Sequence, residues 1–351
     1  MRLFDALDIF SGVLTQEGSS GSADIILANS SFTSGVFKAY FPNISQEPRV
    51  VHPGINFLSY GPAGNSEEPD IVMVASCVST LVLLCVGSHA LLRDRPTFLS
   101  LNRFGNSEEV GLAIDAFALL KQGLTKAGND EAPRSPRLVI GGGYDSRVEE
   151  NMMTLVASID RARSACLSYT IISPPSSKTN IPPLNVTTQD PDILFLLNFT
   201  VQRAALLSAP STLALLYTPG NEHFGIVPIE AMSAGLPVLA CNSGGPTESV
   251  VDDVDSPNER TGWLRAHEAL GWSAALVEIP ELSPIERSAV ADRARARARE
   301  HFGMEAMACK LERALVEAAE MGPVPTHAVL WFGSFVVVAL FAYFMATIYA
   351  S

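Results

Sequence analysis

Positive charge is scarce in this sequence. Its 24 Lys and Arg stand against 37 Asp and Glu, a formal net charge of −13 at pH 7. A field of that sign excludes a broad nucleic-acid surface, because phosphate backbones are held by clustered cations. Paired cysteines are scarce too. The five, at positions 77, 85, 166, 241 and 309, form no CxxC and no metal-ligand spacing. Their odd number and scatter point to reduced thiols in a cytosol-facing protein, with Cys241 a core residue. HExxH, GxSxG and P-loop patterns are absent, so metalloprotease, serine hydrolase and NTPase readings have no support. Met1 to Ser11 is amphipathic, with too short an apolar run for a secretory signal. Asn29, Asn43, Asn185 and Asn198 open N-x-[ST] sequons that a cytosol-facing body would leave unused.

What is present begins with apolar residues. They make up 47% of a 351-residue chain, ample for one large domain or two ordinary ones. Two stretches carry no formal charge. Ala328 to Ala350 has 23 residues with Trp331 and Tyr349 near its ends, a length and anchoring that predict a transmembrane helix. Ile71 to Leu92 is more polar, and three readings stay open for it: a membrane span, a buried or interfacial helix, or non-native sequence from a faulty gene model.

Between these stretches strands and helices alternate. Asp24 to Ala28 reads as a short strand, followed by a helix through Tyr40 capped from Asn29 to Thr33, and Arg49 to Asn56 as another strand ending in a turn. From Thr97 the pattern becomes regular. Strands are expected at Thr97 to Leu101, Arg137 to Ile140, Asp192 to Leu197, Leu213 to Tyr217 and Leu236 to Cys241. Helices are expected at Ser107 to Lys121, Arg147 to Asp160, Thr200 to Ala209, the stretch ending at Ala234, and Ser283 to Glu320. Strands separated by helices of this length predict a parallel sheet with right-handed crossovers. Ser173 to Asp190, rich in Pro, Ser and Thr, reads as a surface insertion. The run Arg293, Arg295, Arg297, Arg299 spreads round its helix and reads as a solvated face, with anionic headgroups an alternative contact.

The chemistry concentrates at Asn221 to Met232. Glu222 lies in the turn after the Leu213 to Tyr217 strand, and Glu230 lies inside the following helix, so two carboxylates flank a helix N-terminus at the carboxyl edge of a parallel sheet. Ligands bind at that edge, and free amides there suit a diphosphate. A carboxylate suits sugar hydroxyls, since it accepts two at once. Asp252 to Asp255 contains a DxD of the metal-binding sort, but it follows a helix and precedes Gly262, the wrong place for a metal site.

The Glu-x7-Glu spacing, followed by Ser243-Gly244-Gly245-Pro246-Thr247-Glu248, resembles the retaining glycosyltransferases of the two-Rossmann-domain (GT-B) class, family 4. The full string NEHFGIVPIEAMSAGLPVLACNSGGPTESVV, with FLSLNRF, GLAIDAF and GGGYDSRVEEN upstream, is most similar to the members that assemble dolichol-linked oligosaccharide. The resemblance implies an α/β GT-B fold. Residues 1–62 would be the closing part of a truncated N-terminal Rossmann-like domain, most of whose strands are missing from this sequence. Residues 63–95 would be a linker with the apolar insertion, and 96–265 a near-complete donor-binding Rossmann-like domain. C-terminal helices at 266–326 and a transmembrane anchor at 327–351 would follow.

The same resemblance implies transfer of mannose from GDP-mannose to Man-GlcNAc2-diphosphodolichol, in alpha-1,3 and then alpha-1,6 linkage, without a metal. The setting would be the cytosolic face of the endoplasmic reticulum membrane, with other mannosyltransferases of the pathway as candidate partners. Glu222 would be the catalytic residue, on the donor-sugar hydroxyls, and Glu230 would hold the ribose. Arg103, Gly143, His223, Phe224, Gly225 and Ile226 would complete the donor site. One position departs from the family: Glu108 sits where a Lys is expected beside the diphosphate, and Lys121 or Lys126 are candidate substitutes. A missing cation there forfeits leaving-group stabilisation of ~3 kcal/mol. The alternative is a catalytically inactive donor-binding or scaffolding membrane subunit.

Overall fold

A computed structural model describes residues 25–57, 95–105, 108–128, 135–173, 191–199, 203–252 and 257–321. The expected anchor at Ala328 to Ala350, the Ile71 to Leu92 stretch and the 173–190 insertion (beyond Ser173 itself) lie outside the described residues. Among those described, no helix is long and apolar enough to cross a membrane. The chain divides into two units, Met1–Lys310 and Leu311–Ser351. The architecture below belongs to the first, apart from the part of the last helix that runs from Leu311 to Glu320.

The amino-terminal piece is a small parallel β-α-β unit: β1 (Leu27–Ala28), α1 (Ser31–Tyr40) and β2 (Arg49–Val50), with Leu27 opposite Arg49. Ser30 caps α1, its hydroxyl accepting the Thr33 amide. The strand expected over Arg49 to Asn56 stops early. Pro53 has no amide to donate, and Ile55 instead makes an isolated bridge to Gly303.

The main body runs β3 (Thr97–Leu101), α2 (Gly111–Lys126), β4 (Arg137–Gly142), α3 (Glu149–Ser164), β5 (Tyr169–Ile172), β6 (Ile193–Leu197), α4 (Arg203–Ser208), β7 (Thr212–Tyr217), α5 (Ile226–Ala234), β8 (Val238–Cys241), α6 (Pro246–Ser249), β9 (Trp263–Arg265), α7 (Ala269–Glu281), α8 (Pro284–Phe302) and α9 (Met304–Glu320). The seven strands from β3 on form one sheet in the order β5-β6-β4-β3-β7-β8-β9. Every pairing in it is parallel.

Both faces of that sheet are buried, as an all-parallel sheet requires. Phe98, Leu138, Ile140 and Phe195 point to one side, where α2, α3 and α7 cover them with Ile114, Phe117, Leu155, Ile159, Trp272 and Leu276. Leu99, Val139, Leu194, Leu196 and Leu215 point to the other, under α4, α5 and α8 with Leu207, Ile229, Met232, Ala294, Ala298 and Phe302. The order reverses at β3: the chain winds outward one way through β4 and the other way through β7. A crevice opens at such a switch point, at the strands' carboxyl ends.

Several expected elements are corrected. The helix expected from Ser107 starts at Gly111, because Glu109 sits at φ 47°, outside the helical region. The helix expected over Ser283 to Glu320 is two helices, since Gly303 adopts an extended conformation and pairs with Ile55. Of the arginine run only Arg299 is exposed as a solvated face would be; the other three are half-buried. Arg295 donates to the Ala234 carbonyl at the end of α5, Arg297 to those of Ser249 and Glu248 at the end of α6, and Arg293 to that of Arg260. These guanidiniums occupy carbonyls that helix ends leave open, which ties α8 to the sheet's loops.

Candidate functional site

The crevice at the switch point is a cleft of about 470 Å³. Three strand ends supply its walls: Leu101, Asn102, Arg103 and Glu108 after β3, Gly141 to Gly143 at the end of β4, and Tyr217, Glu222 and Gly225 to Val227 after β7. Phe199 and Arg203 close the side beyond β6.

Each wall is locally determined. Gly142 lets β4 and the β3 loop meet: a Cβ there would lie 1.6 Å from the Asn102 carbonyl oxygen. Gly143 has open space, with only Arg103 Cγ at 4.0 Å. Gly225 precedes α5 at φ 80° with no side-chain cap, and a Cβ on it would touch the Tyr217 ring at 3.0 Å. Its glycine identity therefore brings the first turn of α5, whose amides have no intrahelical acceptor, directly over the end of β7. Asn102 is buried and donates to Ser100 and Thr218, and the Thr218 hydroxyl donates to the Glu108 carbonyl at 2.5 Å. The loops after β3 and β7 are thereby fastened across the crevice.

Arg103 is 84% exposed and its Nε lies 3.6 Å from the Glu108 carboxylate, which is only 12% exposed. Burial pushes the Glu108 carboxyl up to about 7; the Arg103 guanidinium opposes that rise, and Glu222 and Glu150 add to it. Tyr217 is raised as well, by burial first and then by the Glu222 and Glu108 charges. The cleft thus holds Arg103, Glu108 and Glu222 within mutual electrostatic reach.

Of the residues expected from the sequence, Arg103, Gly143, Glu222, Gly225 and Ile226 come together at the cleft. Glu230 lies in the second turn of α5, 3% exposed, with one carboxylate oxygen 2.5 Å from Arg203. Arg203, not Glu230, is the residue that reaches the cleft wall. His223 and Phe224 do not line it. The His223 carbonyl accepts the Ser30 hydroxyl, and its ring stands edge-on to Phe32. Phe224 is buried, its ring 5.6 Å from His52 and 5.8 Å from Phe302.

The other residues singled out in the sequence lie away from the cleft lining. Lys121 sits at the opposite, amino edge of the sheet, 3.1 Å from Asp192 and bonded to Ser135. Lys126 ends α2 and does not line the cleft. Asp252 is taken up by Arg260 at 2.9 Å and Arg265 at 2.5 Å, while Asp253 and Asp255 lie outside the described residues. Among the described residues no cluster of three or more His, Cys, Asp or Glu is arranged to hold a metal. The Cys241 thiol is a core group, buried, donating to the Thr218 carbonyl and pushed up to about 12 by burial. The sequence reading missed Arg203, Tyr217 and Phe199. A cation just beyond the carboxyl end of a parallel strand was the signal for the first of these.

The chain is similar to known proteins over much of its length. Residues 194–296 match the family described as glycosyl transferases group 1. The alpha-1,3/1,6-mannosyltransferase ALG2 of Rhizomucor pusillus is 32% identical over 310 residues, 88% of this chain and 61% of its own. The Neurospora crassa protein of the same description is 36% identical over 269 residues, and that of Saccharomyces cerevisiae 34% over 267. Over those shared lengths this chain is similar to alpha-1,3/1,6-mannosyltransferases.

It spans 61%, 50% and 48% of the lengths of those three mannosyltransferases. Solved structures agree on the fold. Sucrose-phosphate synthase from Thermosynechococcus elongatus superposes with a TM-score of 0.63 at 16% identity, covering 89% of this chain and 63% of that one. Anabaena Alr3699/HepE, solved with UDP and glucose, gives 0.60 at 16% identity, covering 88% and 67%. The fold is α/β and of the GT-B glycosyltransferase type.

Proposed function

We propose that this chain is a retaining mannosyltransferase. It moves mannose from GDP-mannose to Man-GlcNAc2-diphosphodolichol, in alpha-1,3 and then alpha-1,6 linkage, during N-glycan precursor synthesis. The observation that carries this reading is the meeting of Arg103, Glu222 and the first turn of α5 at one cleft, in a chain related to mannosyltransferases. Arg103 and the amides of Gly225 to Val227 take the diphosphate, whose charge grows as the sugar departs. Glu222 accepts the mannose hydroxyls. Glu230 acts by holding Arg203 against the side of the cleft, where the nucleoside lies. No metal is needed, since a helix N-terminus and guanidiniums do its electrostatic work. The acceptor is a lipid, so the reaction belongs at the cytosolic face of the endoplasmic reticulum membrane.

The test uses the full chain in detergent with labelled GDP-mannose and a synthetic Man-GlcNAc2-diphosphate lipid, following the mass of the lipid product. Transfer by the native chain, abolished in Glu222→Ala, is the expected result. GDP-mannose binding without transfer would overturn it in favour of a non-catalytic donor-binding subunit.

A further inference from the structure

The cleft's charges do not suit its ligand as they stand. Among the described residues that line it, Arg103 and Arg203 are the cations, and each already faces a carboxylate: Glu108 at 3.6 Å and Glu230 at 2.5 Å. Glu222 adds a further negative charge. A sugar-nucleotide diphosphate brings two more, and in a sheltered cleft like charges repel far more strongly than in water. Glu108 cannot relieve this by retreating as a unit, because the Thr218 hydroxyl grips its carbonyl at 2.5 Å and Thr218 is itself buried beneath Asn102. The groups around Glu108 are Arg103 on its own loop, Glu222 after β7, Tyr217 at the end of β7, and Glu150 on α3. Two of those four are carboxylates, and Tyr217 is a neutral phenol.

We propose that Glu108 is a ligand of the donor diphosphate in its neutral form. It takes one proton from solvent as a nucleoside-diphosphate sugar enters, releases Arg103 to the phosphates, and donates its own O–H to a phosphate oxygen. A carboxylic acid at this position thus supplies a donor where an ionised carboxylate would supply a repulsion. The group already holds its proton more tightly than an ordinary carboxylate because it is buried, so the uptake is cheap near neutrality. This inference rests on the nucleotide-sugar reading of the cleft and adds that donor binding is linked to pH.

The experiment is calorimetric titration of the full chain with GDP-mannose, whose diphosphate has no ionisation near neutrality, in two buffers of different ionisation enthalpy. The native chain should bind about tenfold more weakly at about pH 8 than at about pH 6, taking up close to one proton at the higher pH. Glu108→Gln keeps a hydrogen-bond donor without the charge. It should bind equally at both pH values, at the native low-pH affinity, with no uptake. Glu150→Gln should keep the native slope. Binding that is independent of pH in the native chain, or a slope that survives Glu108→Gln, would overturn this inference while leaving the nucleotide-sugar reading intact. No binding at any pH would overturn both. If that variant does not fold, Glu108→Ala takes its place, and a slope that survives it overturns the inference equally.

Discussion

The Glu248 carboxylate accepts the backbone amides of Ser31 and Phe32, each at 2.9 Å, across 217 and 216 residues of sequence. Its Oε2 also lies 3.1 Å from His52 Nε2. An anion at the first turn of α1 satisfies donors the helix leaves open and meets the positive end of its dipole. Ser30, the cap of that helix, reaches the His223 carbonyl next to Glu222. The amino-terminal unit is therefore hooked to the loop after β7 and to α6, the short helix after β8. Glu248→Ala should free the Ser31 and Phe32 amides and cost roughly 1–3 kcal/mol, the range for hydrogen bonds to a charged group. Hydrogen exchange should speed at those two amides and not at the β3 core. Unchanged protection there would disprove the hook.

The same contact sets an acid limit. Burial alone would raise the Glu248 carboxyl; the Ser31 and Phe32 amides and the His52 side chain outweigh it and hold it below the usual value. A carboxyl depressed in the folded state contributes stability that is present above its unfolded value and lost as pH falls through the folded one. Amide protection in α1 should accordingly fall away under acid, below the ordinary glutamate range, and Glu248→Gln should show no such acid step. A native chain whose α1 protection does not change through that range would contradict the assignment.

The three glycines after β4 should prove unequal. A Cβ on Gly142 would lie 1.6 Å from a backbone carbonyl oxygen, a clash only backbone movement relieves, whereas Gly143 faces open cleft. Gly142→Ala should cost about 3 kcal/mol or more, among the largest values a single substitution gives. Gly143→Ala should stay within about 1 kcal/mol. Denaturant unfolding of both variants checks this, and equal losses would show that the close approach of Asn102 is not what Gly142 serves.

How much of this was legible beforehand follows local signal strength. Strand β3 and the end of α5 were read to the residue, one because a fully buried parallel strand is a bounded apolar run, the other because Gly235 stops the helix in a left-handed conformation. β5 was missed: four residues follow Cys166, itself at φ 56°, and their polar Thr170 breaks the apolar run. β9 has three residues at a sheet edge, too few to show a period. α7 is apolar on more than one face and carries Pro280, so no helical stripe marks it. At the site, residues within the Asn221 to Met232 stretch were found because they share a motif. Arg203 was passed over although it follows a strand's carboxyl end, because only the sheet order places β6 beside β4. No sequence pattern could show that Glu248 reaches α1.

Arg203 and Lys121 give the sharpest separation of binding from stability. Both are cations on carboxylates, yet one stands at the carboxyl edge of the sheet on the cleft wall and the other at the amino edge, where Asp192 also lies 3.7 Å from Arg95. Arg203→Ala removes a guanidinium facing the ligand and takes from the buried Glu230 its charged donor at 2.5 Å. It should weaken GDP-mannose about tenfold, or ~1.4 kcal/mol, and lower stability by about 1–3 kcal/mol. Arg203→Lys keeps the charge and loses the fork, so it should recover only part of either quantity. Lys121→Ala should leave GDP-mannose affinity unchanged and cost about 1 kcal/mol of stability, since Arg95 remains to serve Asp192. Calorimetry and thermal unfolding on the same preparations read both quantities. A loss of affinity in Lys121→Ala matching that of Arg203→Ala would mean that the donor does not sit at the switch-point cleft.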